Sequence, residues 1–242
     1  MASIRIMPWI PSLDGTVRAV PIRLAVFDCD GTLVDGQHAI IAAMRETFER
    51  AGVQPLEPAA VRRIVGLPLE DAVARLSLES GPAVRDKLAL GYKQAFQKMR
   101  ENGGYHEPLF PGAISILDRL RDTGFTLGVA TGKSRQGSRI TLERHGLLQH
   151  FSTLKTSDDG PGKPNPHMLL SAMSDMGAEP QATVMIGDTV FDVEMAKSAG
   201  VAAIGVGWRY HERDELRTAG VAALAESFEE LPLLIDKVLG RT

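Results

Sequence analysis

The chain has 242 residues, 44% of them hydrophobic and 24% charged, and carries a net charge of −3. That is room for one large domain, or for one domain with a modest insert. The charge excludes a basic footprint for nucleic acid or an anionic membrane, and no apolar run approaches the ~20 residues that span a bilayer.

Residues 1–21 read as an N-terminal leader. Pro8, Pro11 and Asp14 interrupt any apolar stretch in it, so it is not a signal peptide. The single cysteine, Cys29, leaves no intrachain disulfide and fits a reducing compartment. A cytoplasmic location is expected.

The first strand is predicted over 22–28, where the buried-type run Leu24–Phe27 ends at Asp28. From 36 to 106 no convincing strand appears. Ile40, Ile41, Met44 and Phe48 recur at helical spacing over 37–52, and two further helical stretches follow, LEDAVARLSLE and AVRDKLALGYKQAFQKMRENGG. This block reads as a helical cap domain inserted after the first strand. From Phe110 helices and strands alternate: helix 110–124, strand 125–131, helix 134–146, strand 151–158 and helix 165–177. They continue as strand 183–188, helix 191–200, strand 201–208 and, after the stretch ERDELRTAG, strand 222–226 and a last helix over 228–239. Such alternation predicts an α/β fold, a doubly wound parallel sheet with a Rossmann-like core made of 22–35 and 107–242. In such sheets ligands sit beyond the carboxyl ends of the strands.

Polar residues gather at those ends. The first strand ends in Asp28-Cys29-Asp30-Gly31-Thr32, and a later one in Thr131-Gly132-Lys133-Ser134. Lys163 follows in the loop DDGPGKPNP, and Gly187-Asp188-Thr189-Val190-Phe191-Asp192 follows the strand after that. Two carboxylates as close in sequence as Asp28 and Asp30 raise each other's pKa unless a cation or a shared proton takes up the charge. Several carboxylates converging on one crevice suit a hard cation such as Mg²⁺, and Thr131 and Lys163 would supply donors to an anion there. An aspartate can then act as nucleophile toward phosphorus while a second acid handles the leaving-group proton.

On these residues the chain resembles the haloacid dehalogenase-like hydrolases, in particular phosphoglycolate phosphatase-like members with a helical cap. DCDGT at 28–32 matches the DxDGT motif, Thr131 the second motif, Lys163 the lysine of the third, and GDTVFD at 187–192 the GDxxxD motif. The resemblance covers residues 22–240. It implies Asp28 as nucleophile and Mg²⁺ ligand, and Asp30 as general acid/base whose backbone carbonyl also binds the metal. It further implies Asp188 as a third ligand, Asp192 acting through water or on Lys163, and Thr131, Gly132 and Lys163 as holders of the phosphoryl group. The implied activity is hydrolysis of a small phosphate monoester, 2-phosphoglycolate first, through an aspartyl-phosphate. An inorganic pyrophosphatase and a sugar-phosphate mutase are the alternatives within the family, the mutase through Arg62 and Arg63 as cap residues for substrate. An inactive relative serving as a binding protein is the alternative from another class. No nucleic-acid or membrane partner is expected.

Other readings of single motifs fall away. A cysteine phosphatase would carry arginine six positions after Cys29, but Asp35 stands there, so Cys29 reads as a small buried filler. GVATGKS lacks the first glycine of a P-loop, because position 127 is Leu127. The IVGLPLE stretch at 64–70 is similar to the cap loop that faces the active site, with hinges near Val34–Gly36 and Glu107–Pro111. The Trp208–His211 segment is either an aromatic loop packed on the sheet edge or part of the site.

Overall fold

The computed structural model describes residues 21–54, 56–103, 105–208 and 210–240, with the backbone of two short paired segments further upstream. Those two, β1 (Ile10–Pro11) and β2 (Val17–Arg18), form a small antiparallel ladder. The rest of the leader up to residue 20, and Arg209 of the aromatic segment, lie outside the described residues.

The main sheet has six parallel strands. In chain order they are β3 (Arg23–Phe27), β4 (Phe125–Ala130), β5 (Thr153–Lys155), β6 (Thr183–Gly187), β7 (Ala202–Val206) and β8 (Ala223–Ala225), and in space they run β5-β4-β3-β6-β7-β8. β3 is central and fully apolar from Leu24 to Phe27 because helices cover both faces. Ala25 and Phe27 point to the face packed by α5 (Ala113–Asp122) and α10 (Leu231–Val238), through Ile116, Leu117, Leu120 and Ile235. Leu24 and Val26 point the other way, to Met168, Leu169 and Ala172 of α7 (His167–Met176) and Val193, Met195 and Ala196 of α8 (Val190–Ser198). Cys29 joins the first cluster, and burial pushes its thiol well above its ordinary pKa, so it packs as an inert filler.

Strand order reverses at β3, whose neighbours β4 and β6 come from opposite directions of winding. The crevice between the ends of β3, β4 and β6 is therefore the switch point of the fold. Asp28 is tied there by its N–H donating to the Ile186 carbonyl (2.9 Å), and Thr131 by its N–H donating to the Lys155 carbonyl (3.0 Å).

Between β3 and α5 stand α1 (Gln37–Arg50), α2 (Pro58–Arg62), α3 (Leu69–Leu76) and α4 (Pro82–Glu101). Their inward faces, including Met44, Phe48, Val73, Leu88 and Phe96, make a separate apolar cluster that also takes in Phe191 and Tyr210 from the sheet side. The short α2 opens on a proline and has a single buried residue, Val61, too little apolar periodicity to be read from sequence. β5 is shorter than the predicted 151–158 because a one-turn 3₁₀ helix, Ser157–Asp159, begins almost at once, capped by Thr156 and Asp159. α6 (Arg135–Arg144) and α9 (Arg213–Ala219) complete the core helices.

Candidate active site

Asp28 and Asp30 are two residues apart at the end of β3, yet their side chains enter different charge clusters. Asp28 Oδ1 lies 2.8 Å from Lys163 Nζ, and Asp30 Oδ1 lies 2.8 Å from Lys133 Nζ. Each acid has its own lysine, which relieves the repulsion their spacing would otherwise impose.

The first cluster is the more deeply buried. Lys163 Nζ also contacts Asp192 Oδ1 at 2.6 Å, and both side chains are essentially inaccessible. The other Asp192 oxygen accepts from the N–H (3.1 Å) and hydroxyl (2.7 Å) of Thr189, whose own Oγ1 caps α8. Asp192 is thus both a helix-start residue and the second partner of Lys163, and its two oxygens are occupied. Asp188 Oδ1 accepts from the Thr32 hydroxyl (2.9 Å), and Oδ2 accepts from the Tyr210 N–H (3.2 Å). Asp28 Oδ2 is buried with no hydrogen-bond donor. Oxygens of Asp28, Asp188 and Asp192 all lie within 4.8 Å of one another.

Three ionised acids facing one ammonium leave two negative charges in a desolvated space. Burial, followed by the repulsion of Asp192 and opposed by Lys163, pushes the Asp28 carboxyl up to about 7. Burial together with Asp28 and Asp192 holds Asp188 well above the usual carboxylate range. Burial alone would lower the Lys163 ammonium, but Asp192 and Asp28 outweigh it and hold it above its ordinary value. An orphaned carboxylate oxygen and a deficit of two positive charges fit a divalent cation with oxygen ligands. Gly31 makes the close packing possible: its φ is +89°, and a Cβ there would stand 2.2 Å from Asp188 Oδ2 and from the Tyr210 ring.

The second cluster links Asp30 to Lys133 and, through Lys133 Nζ at 2.5 Å, to Glu107 Oε1. The Thr141 hydroxyl donates to Glu107 Oε2 (2.8 Å), and His145 Nε2 lies 2.7 Å from the Glu107 carbonyl oxygen. Burial would raise Glu107, but Lys133 outweighs it and holds the carboxyl below its ordinary value. Asp30 is raised by burial and by Glu107, with Lys133 opposing. One ammonium shared by two acids satisfies the more buried one and leaves the exposed-side acid inclined to keep its proton.

Asp28, Asp30, Thr131, Gly132 and Lys133 line a cavity of about 1090 Å³ roofed by the helical block. Ile64–Leu67 form part of its wall, as expected of the 64–70 stretch. The fit is close: a Cβ on Gly132 would stand 2.4 Å from the Gly66 carbonyl oxygen, and one on Gly162 would stand 2.0 Å from Pro68 Cγ. Arg62 and Arg63 are not among the lining residues; Arg63 pairs instead with Glu215 (3.6 Å) on the exposed side. Trp208 packs on Phe228 and Phe110, as the sheet-edge reading expects, while His211 Nδ1 accepts from the Val190 N–H (3.2 Å). Lys133 and Glu107 were not singled out from sequence; the lysine stands inside a quoted motif, but its partners are 103 and 26 residues away.

A profile of the haloacid dehalogenase-like hydrolases matches residues 25–206. The chain belongs to the haloacid dehalogenase-like hydrolase family. It is 36% identical over 211 residues to the Dickeya dadantii protein named "Probable phosphatase IndB", covering 86% of this chain and 91% of that protein. It is 33% identical over 213 residues to the phosphoglycolate phosphatase of Chromobacterium violaceum, covering 87% and 95%. The solved structure of a hydrolase from Pseudomonas syringae superposes with a TM-score of 0.78 at 24% identity, covering 89% of this chain and 98% of that one, a likeness of fold. This member of the family is accordingly an enzyme with phosphatases as its relatives, and its parallel sheet flanked by helices is the family's core. Among the described residues no helix is long and apolar enough to cross a membrane.

Proposed function

We propose that the protein is a Mg²⁺-dependent phosphatase that hydrolyses a small phosphate monoester, 2-phosphoglycolate first, through an aspartyl-phosphate on Asp28. The observation that carries this reading is the buried, donor-free Asp28 Oδ2, beside Asp188 and Lys163 and at the wall of the cavity. Asp28 and Asp188, with the Asp30 backbone carbonyl, would hold Mg²⁺, while Asp192 serves Lys163, which it meets at 2.6 Å. The bound cation would neutralise the acids and the phosphoryl charge together.

Asp28 attacks phosphorus, and the bond from phosphorus to the ester oxygen breaks. Asp30 gives its proton to that departing oxygen, releasing the alcohol. Asp30 then takes a proton from water as that water attacks the phosphorus on Asp28, which frees phosphate and restores both acids. Thr131 Oγ, the Gly132 N–H and Lys163 hold the phosphoryl oxygens, so catalysis is mostly positioning and charge stabilisation. The block 36–106 acts as a cap that keeps water away from the reacting atoms. The choice of 2-phosphoglycolate is supported by the likeness to the Chromobacterium violaceum enzyme. Hydrolysis is favoured over the mutase alternative by the absence of Arg62 and Arg63, its supporting residues, from the cavity lining.

The test is a panel of small phosphate esters and pyrophosphate with Mg²⁺, run beside Asp28→Asn and beside EDTA. Preferred turnover of 2-phosphoglycolate that both controls abolish is the expected result. Slow, uniform turnover of every ester would overturn the substrate, and activity that survives both controls would overturn the mechanism.

A further inference from the structure

Resting on the phosphatase reading above, we infer that Lys133 and Glu107 are positioning residues that aim the Asp30 carboxyl at the departing oxygen of the substrate. The chain of contacts runs one way. α6 fixes Glu107 through the Thr141 hydroxyl and His145; Glu107 fixes Lys133 at 2.5 Å; Lys133 fixes Asp30 Oδ1 at 2.8 Å. The Glu107 side chain is 1% exposed, whereas those of Lys133 and Asp30 are 14% and 11% exposed and line the cavity. The anchor is therefore sealed and the working end is open to substrate. Gly36 gives the cluster room, because a Cβ there would stand 2.8 Å from Asp30 Oδ1 and 3.2 Å from Glu107 Oε1.

A sealed ion pair is a poor source of net stability, since desolvation offsets most of its attraction. It is an effective way to lock a rotamer. With Oδ1 held by Lys133, the Asp30 carboxyl is fixed at the cavity wall. In the step it serves, the bond from phosphorus to oxygen breaks and the Asp30 proton moves onto that oxygen. The contribution therefore depends on how badly the departing group needs a proton.

That dependence gives the experiment. Values of kcat/KM, which report on the steps up to and including phosphoryl transfer to Asp28 and not on the later hydrolysis, are measured for an alkyl phosphate and for p-nitrophenyl phosphate, whose phenolate leaves as a stable anion. The wild type is compared with Lys133→Met and with the isosteric Glu107→Gln. Both variants are expected to lose at least ~30-fold on the alkyl ester and about threefold or less on the aryl ester, in line with the worth of one general acid. Equal losses on both esters would assign the pair a merely structural role and overturn the inference while leaving the phosphatase reading intact. A wild type that hydrolyses neither ester would overturn the phosphatase reading and this inference with it.

Discussion

Asp28 titrates under opposing influences, and their balance makes the metal-free protein pH-sensitive. Its folded-state pKa of about 7 lies above the ~3.9 of an unfolded aspartate, so between those values the folded state binds the extra proton. Stability of EDTA-treated protein is then expected to fall as pH rises from ~4 to about 7, with the penalty fully present above that window. Mg²⁺ added above pH 7 should restore it, read as a rise in Tm that Asp28→Asn lacks. A Tm of the metal-free protein that climbs through this window would contradict the charge arrangement. Lys163 has the converse role. Lys163→Met leaves Asp28, Asp188 and Asp192 with no counter-charge, and is expected to cost about 3–5 kcal/mol in urea unfolding without metal, and less with Mg²⁺. The identity of these acids and of Lys163 was legible in the sequence because each stands in a recognisable motif that follows a predicted strand. That Asp28 and Asp30 turn to separate lysines was not, because the separation depends on side-chain direction at the strand end and on Glu107, a residue with no motif of its own.

At the scale of elements, alternation of apolar runs placed all six strands of the main sheet within a few residues. The helical block was equally legible as an absence of strands from 36 to 106. What local pattern could not supply was contact between elements: α2 carries too little periodicity, and the seating of the 64–68 loop on the β4 and β5 loops depends on two glycines meeting backbone and proline. That seating has a direct test. Gly132→Ala would push its Cβ against the Gly66 and Leu67 carbonyl oxygens, backbone atoms that cannot swing aside. The loop must retreat, and kcat/KM is expected to drop by roughly 10²-fold, the effect of a misplacement on the order of 1 Å, with Tm little changed. Unaltered turnover in Gly132→Ala would show that the loop's close seating is not needed for catalysis. Arg62 and Arg63 illustrate the same limit from the other side. Their charge suggested a substrate role, but helix direction sends Arg63 to Glu215 on the exposed side of the helical block.

Across the whole molecule, the winding reverses at β3, and that single feature brings residues from 28 to 192 to one crevice. The loops and helix start that follow the strands supply the acids and lysines, while the helical block supplies the roof and most of the wall. The motif residues and most of the cavity wall therefore come from different parts of the chain. This explains why the reaction class could be argued from four short motifs and the substrate could not. The motif residues follow the strands at family-like spacing, whereas the cavity wall is built largely from helix faces whose residues follow no spacing rule.

The central claim is that phosphate passes through Asp28, and it can be read directly. The enzyme is mixed with Mg²⁺ and ³²P-labelled phosphate ester, quenched in acid within the first turnover, and reduced with borohydride, which converts an acyl phosphate to the alcohol. The account predicts label on the quenched protein and homoserine in place of aspartate at position 28, both absent in Asp28→Asn. Product released with no labelled protein at any quench time, or homoserine at Asp30, Asp188 or Asp192 instead, would contradict it.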